Sequence, residues 1–119
     1  MDEYTPAEVV EATGFSLDTL RYYEREGLVG PIERTPGGRR RYRQSDVAWL
    51  DLIKCLRDTG MPIADLKRYC VLSQDASTLV ERLALLEAHD RVVQADIDRL
   101  RERQSRLHEK MDWYREQLG

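Results

Sequence analysis

Apolar positions along this chain follow two regimes. From residue 79 onward they recur at alternating spacings of four and three, with charged residues between them. One seam reads Leu79, Leu86, Val93, Leu100, Leu107 and Tyr114; the other reads Leu83, Asp90, Ile97, Gln104, Met111 and Leu118. Such a heptad pattern, unbroken for roughly forty residues, predicts one helix about 60 Å long with a continuous apolar stripe. A stripe of that length does not stay in water alone, so a homodimer is expected, with Leu79, Leu83, Leu86, Val93, Ile97, Leu100, Leu107, Met111 and Tyr114 in its interface. Asp90 and Gln104 interrupt the seam, weakening the pair while setting its register and orientation. One strand's pattern does not say whether the two helices run parallel or antiparallel.

Before residue 79 the apolar positions form shorter helical stripes punctuated by glycine and proline. Thr5-Pro6-Ala7-Glu8 is a helix start, with Thr5 as N-cap, Pro6 at the first position and Glu8 completing a capping box. That helix carries Val9, Val10 and Ala12 and stops at Gly14. A second runs from the N-cap Ser16 to Glu26, where Gly27 supplies a left-handed stop. Leu17 and Leu20 are its expected inward side, leaving Thr19, Arg21, Tyr22 and Tyr23 at or near the outer side. Two helices joined by so short a turn predict a helix-turn-helix. Pro36-Gly37-Gly38 reads as the turn of a hairpin ending Arg39-Arg40-Arg41-Tyr42. Ser45-Asp46 is expected to cap a third helix over 46–58, with Trp49, Leu52, Ile53 and Leu56 as its core stripe. Gly60-Met61-Pro62 leads into a fourth, with Ile63, Leu66 and Cys70 inward, and 71–76 reads as a polar linker. The expected architecture is mainly α: a winged helix-turn-helix over 1–74, then a dimerisation helix over 75–119.

Net charge changes the picture only when it is located. The whole chain carries −3, which by itself argues against nucleic acid, yet Arg34 to Arg43 holds five arginines and no acid. A local +5 beside a recognition-type helix is the electrostatic footprint of a surface for double-stranded DNA. No apolar run approaches bilayer length, and the Met-Asp-Glu-Tyr start is polar, so neither a membrane span nor a signal peptide is expected. Two cysteines without a framework suit a reducing cytoplasm. There is no phosphate loop, no nucleophile–base spacing and no cysteine pair at metal-binding distance. An enzyme, a metal site and a cofactor are therefore not expected, and His89 and His108 read as solvated positions.

The motifs Thr-Leu-Arg-Tyr-Tyr-Glu-Arg-Glu-Gly-Leu (19–28) and Gly-Gly-Arg-Arg-Arg-Tyr (37–42), followed by the heptad helix, together resemble the MerR family of bacterial transcription regulators over the whole chain. Arg39 stands where the family's wing commonly has tyrosine. The resemblance implies a winged-helix dimer joined by an antiparallel coiled coil, bound to pseudo-palindromic operators between promoter elements. Bending and untwisting of that spacer would realign the elements for RNA polymerase. It further implies that Ser16, Thr19, Arg21, Tyr22 and Tyr23 meet the major groove or adjoining phosphates. Arg39, Arg40, Arg41 and Tyr42 would meet the flanking backbone. Strand alternation puts Arg39, Arg41 and Arg43 on one face, so that set alone could touch phosphate.

Within the family, the run Ile53 to Met61 resembles the AdhR/NmlR-like branch that responds to aldehydes and other thiol-reactive electrophiles. That resemblance makes Cys55 the candidate sensor. Helical geometry places Cys55 about 110° from the centre of its helix's apolar stripe, at a border rather than in the core. Asp51 and Asp58 lie one turn away on its own face. Cys70 continues the Ile63/Leu66 stripe and reads as structural; a Cys55–Cys70 disulfide would require the third and fourth helices to fold back closely. Three readings stay open at this point: a regulator switched by Cys55, a regulator with inert thiols that answers to a small ligand at the dimer interface or to no effector, and a coiled-coil module without a DNA role.

Overall fold

The structure is a computed structural model describing residues 3–119. It divides into two units, the first ending at Arg82 and the second spanning Leu83–Gly119. In the first, strand β1 (Glu3–Tyr4) leads into helices α1 (Pro6–Thr13) and α2 (Leu17–Arg25). Strands β2 (Glu33–Arg34) and β3 (Arg40–Arg43) follow, then α3 (Gln44–Asp58), α4 (Ile63–Ser73) and a 3-10 turn at Ala76–Thr78. Helix α5 (Leu79–Leu118) runs unbroken for 40 residues.

The helix ends form as their side chains dictate. Thr5 Oγ1 accepts from the Glu8 backbone N–H at 3.2 Å, and Glu8 Oε1 accepts from the Thr5 N–H at 2.9 Å. Ser16 Oγ accepts from the Thr19 N–H at 3.1 Å, so each helix start of the helix-turn-helix has one orphaned amide capped by its own N-cap side chain. After α2, Gly27 takes φ +74°, a region that L side chains rarely enter, and this lets the Leu28 N–H reach back to the Tyr23 carbonyl at 2.9 Å.

The two hairpin strands and β1 make a small antiparallel sheet in the order β1-β3-β2, with Tyr4 opposite Tyr42 and Glu33 opposite Arg41. Behind it lies one core containing Val9, Phe15, Leu20, Leu28, Tyr42, Leu50, Ile53 and Leu66, all at most 2% exposed. Phe15 packs edge-on against Tyr23, with ring centroids 5.2 Å apart.

Several expected faces are corrected. In α2 the buried pair is Leu20 and Tyr23, while Leu17 is exposed. Leu17 and Tyr23 lie about 60° to either side of Leu20, so periodicity alone cannot choose between them; Phe15 chooses by packing on Tyr23. Helix α3 starts at Gln44, not at residue 46, because the Asp46 carboxylate caps the Arg43 N–H at 2.9 Å. Its buried face is Val47, Leu50, Ile53 and Leu56, with Trp49 and Leu52 half-buried, since α1, β3 and α4 all pack around it. In α4 Ile63 is exposed, and Tyr69 joins Leu66 and Cys70 inside. Residues 71–73 continue α4, so the linker expected over 71–76 shrinks to a short stretch, where Asp75 Oδ1 caps the Ser77 N–H at 2.9 Å.

In α5 no residue is buried. Leu83, Ile97, Leu100, Leu107, Met111 and Tyr114 are exposed, as is Leu79 just before it in the first unit's part of the helix, while Leu86 and Val93 are half-buried. No helix among the described residues is long and apolar enough to cross a membrane.

Candidate nucleic-acid interface

Helix α2 presents Asp18, Arg21, Tyr22 and Arg25 outward. At its N-terminus Ser16 Oγ donates to Thr19 Oγ1 at 2.9 Å while capping the Thr19 N–H, which ties the two hydroxyls into one polar cluster beside the helix's free amides. A helix start of this kind attracts an anion through both its unpaired N–H groups and its dipole. Thr19 itself is half-buried. Tyr23, expected at the outer side, is 3% exposed: its ring is part of the core, so the DNA-contact reading of its side chain is corrected.

The hairpin follows strand alternation from Arg40 onward. Arg41 and Arg43 both reach Glu33, whereas Arg40 turns toward α2 and Tyr42 enters the core. Tyr42 is 2% exposed, so its expected contact with the DNA backbone is likewise corrected to a core role. Burial and the nearby Glu24 carboxylate push its phenol above its ordinary pKa, keeping it neutral.

The local +5 is largely answered by three acids. Glu24 on α2 accepts Arg40 Nε through both carboxylate oxygens at 3.0 Å, with Arg34 at 3.9 Å. Glu33 pairs with Arg41 and Arg43, and Glu3 lies 3.5 Å from Arg41 Nε, an atom enclosed without a hydrogen-bond acceptor. Among the described residues no ion pair engages Arg21, Arg25 or Arg39. Counting arginines from residue 34 passes over Glu33 by one position, and Glu24 comes alongside only once the hairpin folds against α2. Glu24 thereby ties wing to helix. Glu24→Gln is expected to destabilise the first unit by about 1–3 kcal/mol and to raise amide exchange across residues 40–43, read by hydrogen-exchange mass spectrometry. Unchanged protection there would remove the tether.

Cys55 is exposed and Cys70 buried, and both are free thiols, so no disulfide joins them. The cations flanking Cys55 in sequence are engaged: Lys54 Nζ donates to Asp58 at 2.7 Å, and the Arg57 guanidinium binds the same carboxylate at 2.9 Å. Those two cations hold the Asp58 carboxyl below its ordinary pKa. Arg57 also lies over the Phe15 ring at 4.9 Å. Cys70 donates to the Leu28 carbonyl at 3.3 Å, and burial pushes its thiol up to about 11. Among the described residues no group of three or more His, Cys, Asp or Glu side chains gathers as metal ligands.

Comparison with known proteins agrees with this geometry. Residues 4–71 match the family model described as MerR HTH family regulatory protein. An HTH-type transcriptional regulator of Haemophilus influenzae is 38% identical over 113 residues, covering 93% of this chain and 83% of that protein. The HTH-type transcriptional regulator AdhR of Bacillus subtilis is 38% identical over 85 residues, covering 71% of this chain but 61% of AdhR. Among solved structures, HiNmlR, a MerR family regulator lacking the sensor domain and bound to promoter DNA, superposes with a TM-score of 0.86 at 36% identity. The match spans 95% of this chain and 86% of HiNmlR.

Proposed function

The chain belongs to the MerR family of DNA-binding transcription regulators, and from that premise we propose that it acts as a cytoplasmic homodimer on a pseudo-palindromic promoter operator. The observation that carries this reading is the juxtaposition, in one unit, of an open recognition-helix start with an exposed Arg39 on the wing that no ion pair engages among the described residues. Residues 1–74 are the DNA-binding part and 75–119 the dimerisation part. Ser16, Thr19, Arg21 and Tyr22 approach the major groove and its phosphates. Arg39 and, after exchange of its acidic partners for phosphate, Arg41 grip the flanking backbone. Arg40 serves from behind by holding the wing to α2, and Tyr23 and Tyr42 support both from the core. Two such units on one duplex, fixed at the spacing of a stiff coiled coil, bend and untwist the DNA between them for RNA polymerase.

An antiparallel pairing is supported by Asp90. In a parallel pair, Asp90 of one helix would face Asp90 of the other in a dry layer, two like charges without a counterion. In a full-overlap antiparallel pair it lies opposite Leu107, while Ile97 lies opposite Leu100, and no seam position opposes its own charge.

Arg39→Ala tests the DNA surface. The expected result is weaker operator binding, with the log–log salt slope flattened by about 0.9 for the lost phosphate contact and an unchanged melting temperature. Fluorescence anisotropy across a salt series reads both slope and affinity, and an unaltered slope would take Arg39 out of the interface.

The effector reading is that Cys55 adds to an aldehyde or another electrophile. Its exposure supports this, as does the similarity to AdhR and HiNmlR. In a promoter–reporter assay with formaldehyde, Cys55→Ser is expected to lose the response while operator affinity stays within about twofold. A response that survives in Cys55→Ser favours the second reading, in which the thiols are inert. The engagement of Lys54 and Arg57 by Asp58 speaks for that second reading, since both cations near Cys55 in sequence already have a carboxylate partner.

A further inference from the structure

We propose that a cleft on the first unit, between the loop that follows α2 and helices α3 and α4, binds a small planar aromatic carboxylic acid carrying a hydrogen-bond donor. The cleft holds about 320 Å³, within the range of roughly 300–1,000 Å³ usual for small-molecule sites. Its character comes from its floor, its rim and its wall.

The floor is a preformed aromatic stack. Trp49 lies on Tyr69 with centroids 5.4 Å apart and planes within 2° of parallel. Trp49 Nε1 donates to the Leu28 carbonyl at 2.7 Å, so the indole is pinned and its only donor is satisfied. A further planar ring extends such a stack with little ordering of the protein. Trp49 is half-buried, which leaves part of the ring lining the cleft.

The rim supplies charge of both signs. Arg82 donates Nε to Thr78 Oγ1 at 3.1 Å and one terminal nitrogen to the Asp75 carbonyl at 3.4 Å. Its other terminal nitrogen has no acceptor among the described residues and suits a carboxylate oxygen. Asp46 uses one carboxylate oxygen to cap the Arg43 N–H, leaving the other to accept from a phenol or amine. Gln74 adds an amide that makes no side-chain hydrogen bond among the described residues.

The thiol at the wall does not react. Burial holds Cys70 protonated and its Sγ is bonded to the Leu28 carbonyl, so occupancy is reversible binding rather than alkylation. The wall also includes the 27–30 segment that leaves the recognition helix for the wing, so an occupant touches the stretch that sets one against the other. This names an effector class for the regulator proposed above and rests on that reading for its consequence. The binding step stands apart from it and is measurable on the free protein.

The experiment is calorimetric titration of the full chain with 4-hydroxybenzoate and 4-hydroxycinnamate, each against its neutral amide. The acids are expected to bind at least tenfold more tightly than the amides. Arg82→Gln is expected to erase that preference, and Gly30→Phe to block acids and amides alike at an unchanged melting temperature. Gly30 lines the cleft, its φ lies outside the left-handed region and a Cβ built there meets nothing within 4 Å, so a ring is accommodated at the cleft wall without backbone strain. No saturable binding of either acid, equal binding of acids and amides, or binding indifferent to Gly30→Phe would each overturn the site. Operator binding is followed in the same preparations: its absence beside intact acid binding would overturn the regulator reading and leave the site standing.

Discussion

Tyr42→Ala is expected to destabilise the first unit by about 3–5 kcal/mol, the range for emptying a buried aromatic site, and to lower its melting temperature by upward of about 12 °C. The side chain closes the core beneath the β1-β3 pair, opposite Tyr4, and is 2% exposed. Tyr42→Phe is expected to change stability by less than about 1 kcal/mol, because the phenol oxygen makes no hydrogen bond among the described residues. A backbone contact from the Tyr42 hydroxyl would produce the reverse pattern: intact stability in both variants, with operator affinity falling in Tyr42→Phe. Thermal denaturation beside anisotropy of the same two proteins separates these outcomes.

The double substitution Ile97→Asp/Leu100→Asp is expected to leave a folded first unit and abolish dimerisation. In the proposed antiparallel pairing these residues would face each other at the centre of the seam, so the two changes would place four carboxylates in adjacent apolar layers across the dimer. Operator affinity is expected to fall by about a hundred- to ten-thousand-fold, the advantage lost when two linked half-site contacts become independent. Sedimentation equilibrium gives the oligomeric state, and the far-UV spectrum of the first unit's helices gives the control. A variant that remains dimeric would show that the interface lies elsewhere than the 79–118 stripe. Asp90 makes the milder companion case, since an apolar residue there removes the charge that disfavours a parallel pair.

The contrast between these two variants shows where function is legible. The heptad stripe is written in spacing alone, because an apolar period along one helix needs nothing beyond its own sequence. The DNA surface is different. Ser16 and Thr5 announce their helices because a cap is a local bond, made within three residues. Tyr22 and Tyr23 are adjacent and chemically identical, yet one is exposed and the other lies in the core against Phe15. That distinction required a ring from outside the helix.

The wing shows the same limit in its electrostatics. The arginines of 34–43 are plain in the sequence, but the field they produce depends on Glu24, Glu33 and Glu3. Of these, Glu24 and Glu3 are brought alongside only when the hairpin folds against α2 and β1 pairs with β3. Arg39 stands apart because it lies at the tip, before the paired strand begins at Arg40.

The sequence by itself determined the starts of the first two helices at Thr5 and Ser16, the wing turn, the heptad stripe and the family, since each rests on bonds or periods confined to neighbouring residues. Tertiary structure alone decided which of Leu17 and Tyr23 is buried, which arginines are already paired, and that Trp49, Tyr69, Asp46 and Arg82 line one cleft. Those outcomes depend on which element packs on which, and packing joins residues that are far apart along the chain.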